Sequence, residues 1–219
     1  MVVGERLEFP RSPRARRSHA ERTAETQARI KAAVVEAIMD VGFQRTTASE
    51  ISRRSGVSWG AAQHHFGDKS GILTAILVDS FNLFAAGLSE ISVEGKSLDD
   101  RASLFIDAAW KHFGSAHYRC TFEILLNIPF VDWSSPDHAL RDATLDAWGR
   151  VWGRFFDGAD LPPRRTAALQ YYAISVMSGL AAMKKLEGPS PSQRRMELGF
   201  LKETLARELR HSRKQGGAG

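Results

Sequence analysis

Hydrophobic residues recur along most of this chain at the three- and four-residue spacing of amphipathic helices. The first such stretch ends at Gly42 and carries Ile30, Val34, Ile38 and Val41 on one face. Glycine and proline residues separate the later stretches, and their pattern predicts helices at about 47–54, 58–65, 68–92, 99–114, 116–127, 137–156, 163–186 and 190–211. Strand-like alternation is nearly absent. The pattern therefore predicts an all-α fold.

The composition fits a folded chain that can bury a core. Of the 219 residues, 43% are hydrophobic and 25% are charged. The formal net charge is +5, and most of the excess lies before residue 72, where 12 basic residues accompany 8 acidic ones. A polyanionic partner is therefore worth testing. The single cysteine, Cys120, excludes an intrachain disulfide, and we expect a cytoplasmic protein.

No membrane association is expected from the sequence. The longest apolar-looking stretch, 173–183, is interrupted by Ser175 and Ser178 and falls well short of the ~20 residues that a membrane span needs. The first 17 residues contain arginines but no apolar core of the kind that a secretory signal requires.

The two ends of the chain have compositions that differ from the rest. Residues 1–20 are rich in arginine and proline, which predicts a flexible basic arm, either solvated or lying along DNA phosphates or in a minor groove. Residues 212–219 are predicted to be a flexible tail. Between the ends we expect two domains, 21–71 and 72–211.

Residues 47–66 fit a helix-turn-helix. Thr47 and Glu50 have the spacing of a capping box at the start of the first short helix. Gly56 supplies the positive φ that a chain reversal requires. Ser58 then caps a second short helix, whose inward face would hold Ala62 and His65.

The outward face of that second helix has the residues that a recognition helix presents to a DNA major groove. It would carry Trp59, Gly60, Ala61, Gln63 and His64, with Gln63 and His64 as the leading contacts. Trp59 would either touch DNA or cover its own domain. Gly60 costs about 1 kcal/mol in a helix interior, which indicates either close approach of a phosphate or tight helix packing.

Lys69 lies in the first turn of the next helix, which Asp68 caps. A helix N-terminus favours an anion, so Lys69 is either a phosphate contact or a solvated surface lysine. The predicted DNA-binding residues are therefore Thr47, Ser58, Trp59, Gly60, Gln63, His64 and Lys69.

This ordered set of residues resembles the TetR-type transcriptional regulators. The resemblance covers about 50 residues and includes Val41-Gly42-Phe43, Thr46-Thr47, Glu50-Ile51, Gly56-Val57-Ser58, Gly60, His65-Phe66, Lys69 and Ile72-Leu73. It implies a three-helix DNA-binding domain followed by a larger helical domain for ligand binding and dimerisation. The chain has Gln63 where the family usually has a tyrosine, and Ala62 where a larger apolar residue is common, so individual operator contacts do not transfer directly.

The remaining helices suggest where a ligand would bind. Four of the five tryptophans lie between residues 99 and 156, which is typical of either an aromatic-lined pocket or an ordinary core. The candidate ligand residues are Trp110, Phe113, His117, Phe122, Trp133, Trp148 and Trp152. That this region binds a small effector at all is implied mainly by the resemblance.

The last two predicted helices contain many small residues, including Ala181 and Ala182, together with Met196 and Phe200. The resemblance implies that these helices pair with their copies in a homodimer, and packing within one chain is the alternative. A dimer would place two recognition helices about 34 Å apart and so read a palindromic operator.

Two other function classes are open to test. An enzyme is disfavoured because the sequence has no nucleophile elbow, phosphate loop, Rossmann glycines or metal-ligand spacing, and neither a cofactor nor a metal is expected. A helical protein-binding adaptor would lack salt-dependent binding to duplex DNA. The preferred hypothesis is a homodimeric repressor that a small apolar or aromatic effector releases from its operator, with the 68–92 helix as the connecting lever.

Overall fold

The computed structural model describes residues 18–127, 139–159, 161–187 and 190–215. Every regular element in these ranges is helical, which confirms the all-α prediction. The helices are α1 (His19–Val41), α2 (Ala48–Ser55), α3 (Trp59–Phe66), α4 (Lys69–Ser89), α5 (Leu98–Phe113), α6 (Ala116–Asn127), α7 (Ala139–Phe156), α8 (Pro163–Glu187) and α9 (Pro191–Gln215). A short 3₁₀ turn at Phe43–Arg45 joins α1 to α2.

Both terminal boundaries differ from the sequence prediction. The arm was predicted to reach residue 20, but α1 begins at His19 because Ser18 and Glu21 form a reciprocal capping box. The tail was predicted to start at residue 212, whereas α9 continues to Gln215. The rest of the predicted arm, residues 1–17, and residues 216–219 lie outside the described residues.

Two hydrophobic cores organise the described part of the chain. The N-terminal core joins α1, α2, α3 and the start of α4 through Ile30, Val34, Ile38, Ile51, Ala62, Ile72, Leu73 and Ile76. The C-terminal core is larger, and α4, α5, α6, α7, α8 and α9 all contribute buried residues to it.

The helix α4 belongs to both cores. It contributes Ile72 and Ile76 to the N-terminal core and Phe84 and Leu88 to the C-terminal core. By length and composition α4 is also apolar enough to cross a membrane, so the sequence expectation that 173–183 was the longest apolar stretch was wrong. A helix that packs two cores needs apolar residues on more than one face, which accounts for this composition.

The helix α6 also bridges the two cores, which the sequence did not predict. Cys120 and Ile124 are fully buried in the N-terminal core, whereas Tyr118, from the same helix, packs in the C-terminal core. A buried hydrogen bond from the Thr121 hydroxyl to the Ser80 hydroxyl, 2.8 Å long, ties α6 to α4. The N-terminal core therefore extends beyond the predicted domain boundary at residue 71.

The side chain of His112 packs among aromatic rings of the C-terminal core. Its ring centroid lies 5.0 Å from that of Phe84 and 5.3 Å from that of Tyr118. Burial, with a smaller contribution from the nearby charge of His117, lowers the pKa of His112 to about 4. The native protein therefore holds this ring neutral at neutral pH.

This burial predicts a loss of stability in mild acid. Below the ordinary pKa of about 6.5, the unfolded chain binds a proton that native His112 does not accept, so the free energy of unfolding falls as the pH drops from 6.5 towards 4. Chemical denaturation at pH 7 and pH 5 measures this loss. The loss should be smaller in His112→Gln, and equal losses in variant and wild type would contradict the assignment.

Candidate nucleic-acid interface

The turn between α2 and α3 has the backbone geometry that the sequence predicts. Gly56 adopts a left-handed conformation with φ of 64°, and its N–H donates to the Ser52 carbonyl to close α2. Ser58 then caps α3 by accepting a 3.3 Å hydrogen bond from the Ala61 N–H. Val57, half-buried, packs against the N-terminal core beneath the turn.

The capping box predicted at the start of α2 forms only in part. The Thr47 hydroxyl accepts a 3.3 Å hydrogen bond from the Glu50 N–H, as expected. The Thr47 N–H, however, donates to the Arg45 carbonyl, and the Glu50 carboxylate accepts hydrogen bonds from Arg53 and Arg54. These charge-assisted bonds, from Arg53 first and then Arg54, lower the pKa of Glu50 to about 2.

Two arginines tie the helix-turn-helix to α1. Arg29 Nη2 donates a 2.5 Å hydrogen bond to the Ser55 carbonyl near the end of α2. Arg54 Nη2 donates to the Asp40 carboxylate over 2.6 Å. An added Cβ at Gly56 would lie 3.0 Å from Arg29 Nη2, so this turn is restricted by space as well as by φ. The angle of α2 against α1 is therefore fixed by polar contacts in addition to Ile51.

The helix α3 has one buried face and one open face. Ala62 is 1% exposed and is the one fully buried residue of α3, whereas Gln63 and His64 are exposed. His65, predicted to face inward, is half-buried. The prediction that Gln63 and His64 lie on the outward face is confirmed.

For Gly60 and Trp59, both in the first turn of α3, the structure bears on the alternatives that the sequence left open. Gly60 is exposed, and a Cβ built there would meet nothing within 4 Å, so tight packing inside the chain does not explain this glycine. Trp59 was placed on the outward face, but it is half-buried and packs against the N-terminal core. Its ring therefore covers its own domain and leaves only part of its surface open.

Lys69 stands at the N-terminus of α4, three residues after the end of α3. Asp68 caps this helix by accepting a 2.8 Å hydrogen bond from the Gly71 N–H. The Lys69 ammonium lies 4.7 Å from the centre of the Phe43 ring. Partial burial lowers the pKa of Lys69, so this cation is held against an aromatic ring rather than fully solvated.

Most of the candidate ligand residues pack tightly against other side chains. Trp148 and Trp152 are buried, and their rings lie 5.4 Å from Phe84 and 4.5 Å from Phe156, respectively, between centroids. Phe113 is also buried, 4.5 Å from Tyr118. Aromatic side chains at such distances are in contact with one another, so these rings form ordinary core, the second of the two alternatives that the sequence left open.

The other candidates are scattered in space. Trp110 lies under the Arg194 guanidinium, 5.0 Å from the ring centre, and His117 is half-buried. Trp133 lies outside the described residues. Of the candidates, only Phe122 lines a cavity of about 270 Å³ that lies between α1, α6 and α8 in the described part of the chain.

That cavity was missed by the sequence analysis. Its walls come from three distant segments, which contribute Ile38 and Met39 from α1, Tyr118, Arg119, Phe122, Glu123 and Leu126 from α6, and Ala181 and Ala182 from α8. No local pattern in the sequence predicts that these segments meet, because at least 54 residues of chain lie between one segment and the next.

The residues of this interface lie in a segment that is similar to known proteins. Residues 30–76 match the model of the bacterial regulatory proteins of the tetR family. The HTH-type transcriptional regulator BetI of Escherichia coli is 47% identical over 47 residues, which are 22% of this chain and 24% of BetI. The match therefore spans about a quarter of the length of these curated relatives.

Solved structures share the fold over most of the chain. A putative tetR family regulator from a Shewanella species superposes with a TM-score of 0.65 at 17% identity, covering 83% of this chain and 96% of that one. The fatty acid degradation regulator FadR of Bacillus halodurans gives 0.61 at 13% identity, covering 84% and 94%. At these identities the likeness concerns the fold alone. The named relatives are described as regulators rather than enzymes.

Proposed function

We propose that this protein is a transcriptional regulator of the tetR family, whose model matches residues 30–76, and that it inserts α3 into the major groove of DNA. The observation that carries the proposal is the open face of α3. Gln63 and His64 are exposed on it beside Gly60, where a built Cβ would have no atom of the described residues within 4 Å. Polar side chains on an exposed helix can read base edges, and a glycine lets a phosphate backbone come close.

The surroundings of α3 support a division of roles among the contacts. Lys69 carries a positive charge at a helix N-terminus, where the free N–H groups also favour an anion. It would bind a phosphate and set the register, whereas Gln63 and His64 would read bases. Thr47 and Ser58 use their hydroxyls as helix caps and are exposed. They would therefore lie close to the DNA backbone at the N-termini of α2 and α3. Trp59 would offer only its uncovered edge.

We propose a homodimer formed through α8 and α9. These helices expose Tyr171, Tyr172, Met196 and Phe200, which are 42% to 68% exposed within a single chain. Ser175 and Gly179, on α8, are also exposed and would allow close helix approach. A two-fold pairing would cover this surface and place two α3 helices for successive major grooves of a palindromic operator.

The protein would act in the cytoplasm, where DNA is accessible, and most simply as a repressor that a small-molecule effector releases. Release requires the effector to bind better to a state whose α3 helices are wrongly spaced. The connecting lever predicted from the sequence was α4 alone. We propose that α6 shares this role, because Cys120 and Ile124 are buried in the N-terminal core and Thr121 is bonded to Ser80 of α4.

Substitutions at Gln63 and Lys69 test the division of roles. Lys69→Ala should weaken binding to all duplexes alike and reduce the slope of log K against log salt by about 0.9, since one phosphate contact is lost. Gln63→Ala should change the preferred base pairs instead. Fluorescence anisotropy over several duplexes and salt concentrations measures both, with exposed Lys96→Ala as the control. Uniform effects from both variants would refute the assignment.

Gly60→Ala separates DNA approach from folding. The new methyl group would have no neighbour within 4 Å in the part of the chain that the structure describes, so the free energy of unfolding should rise by about 0.5–1 kcal/mol as helix propensity improves. DNA affinity should nevertheless fall, by about tenfold, because the methyl group occupies space that the DNA backbone needs. Gly87→Ala in α4, also free of neighbours within 4 Å, is the matched control and should leave DNA affinity unchanged. Full DNA affinity in Gly60→Ala would contradict the proposed contact.

Phe200→Glu tests the dimer. Placing a charge in a buried apolar interface is costly, so the variant should sediment as a monomer and bind the operator weakly. Leu83→Glu is the matched control, because Leu83 on α4 is also 60% exposed but lies outside the proposed interface. Sedimentation velocity that shows the same dimer for Phe200→Glu and wild type would exclude this interface.

A further inference from the structure

A cleft of about 270 Å³ lies where the two cores meet, between α1, α6 and α8. Its volume is just below the ~300 Å³ at which pockets for drug-sized ligands begin, so it has room for a small molecule. Neither Trp148 nor Trp152 lines the cleft, and no residue of α3 does.

The walls of the cleft are mainly apolar. Ile38, Phe122 and the methyl groups of Ala181 and Ala182 form its floor and sides. Met39 and Leu126 stand at its edge, 39% and 68% exposed. Large exposed apolar side chains grouped around a concave surface are typical of a binding site, because contact with water is unfavourable for such a surface unless a ligand covers it.

A positive charge stands on one wall of the cleft. Arg119 is exposed, and no hydrogen bond or ion pair joins it to another residue in the part of the chain described. Glu123, one turn further along α6, already has an interaction partner. The Tyr118 hydroxyl, 2.7 Å from the Ser178 hydroxyl, adds a polar group on the same helix. Arginine with free N–H groups favours a carboxylate or another small oxyanion.

The position of the cleft links its occupancy to the DNA-binding domain. Ile38 belongs to the N-terminal core, whereas Tyr118 and Ala181 belong to the C-terminal core. A molecule bound in the cleft would therefore contact residues of both cores. Any change in the spacing of α1 from α6 and α8 would therefore change its binding energy, which is the condition for coupling to DNA affinity.

We propose that this cleft is the effector site, and that it takes a small monoanion whose apolar body packs on Phe122 and whose acidic group pairs with Arg119. The proposal rests on the regulatory function proposed above, since it names the site and chemical class of the effector. It differs in place from the aromatic-lined pocket around the tryptophans, which was one of the two alternatives that the sequence left open.

Calorimetric titration of the full-length protein without DNA tests the site directly. The probes are phenylpropanoate and octanoate, each with its uncharged alcohol, phenylpropanol or octanol, for comparison. At least one carboxylate should bind with a Kd of about 1 mM or tighter, which is reasonable for about ten non-hydrogen atoms. Failure of both carboxylates to bind would overturn the proposal.

Two variants locate the binding. Arg119→Gln should weaken carboxylate binding by about tenfold and leave alcohol binding unchanged, because only the charged hydrogen bonds are lost. Ala182→Leu fills the cleft and should abolish binding of every probe. Exposed Arg195→Gln and Ala86→Leu are the matched controls. Carboxylate binding that neither Arg119→Gln nor Ala182→Leu reduces would place the probes elsewhere and refute the site.

Fluorescence anisotropy with labelled duplex DNA distinguishes a failure of the proposed effector site from a failure of the proposed regulatory function. A saturating carboxylate should lower DNA affinity, and DNA should lower carboxylate affinity by the same factor, because coupling is reciprocal. Carboxylate binding without any change in DNA affinity would remove the effector role of the cleft. A protein that binds the carboxylates but no duplex at low salt would refute the regulatory function instead.

Discussion

The structure depends first on the burial of Ala62, because α3 has eight residues and this is its one fully buried side chain. A helix of that length is not stable alone in water, so its position is set by the elements that surround its inward face. Those elements are α1, α2 and α4, and the core that they share with α3 also includes Cys120 and Ile124 of α6. The position of the open face of α3 therefore depends on the N-terminal core beneath it. That core also includes side chains from the domain that follows.

This shared core gives a physical path for regulation. The helix α4 joins the cores along its length, and α6 joins them through its sides, with Tyr118 in one and Ile124 in the other. Hydrogen bonds from Thr121 to Ser80 and from Gln44 to Asn127 fix α6 to α4 and to the turn before α2. A molecule that shifts α6 by a small distance must also repack part of the N-terminal core, because close-packed interiors do not deform without cost. The cleft beside Phe122 lies at this junction.

The helices and the helix-turn-helix could be predicted from the sequence because their signals are local. The caps Thr47 and Ser58, the reversal at Gly56 and the burial of Ala62 each depend on residues within one or two turns. Two outcomes that the sequence left open were decided by distant residues, because Trp59 packs against the N-terminal core and the aromatic residues of α5 and α7 pack on one another. The capping box failed for a local reason, because the Thr47 N–H donates to the Arg45 carbonyl in the preceding turn. The cleft joins three segments far apart in the chain, and no local pattern reports it.

A selection of bound sequences from random duplex DNA with the purified protein tests whether the open face of α3 reads DNA from a symmetric pair. We expect an enriched palindrome whose half-sites are about 34–36 Å apart, one turn of the double helix. Recovery of sequences no different from the starting pool at low salt, or of a single half-site without symmetry, would contradict it.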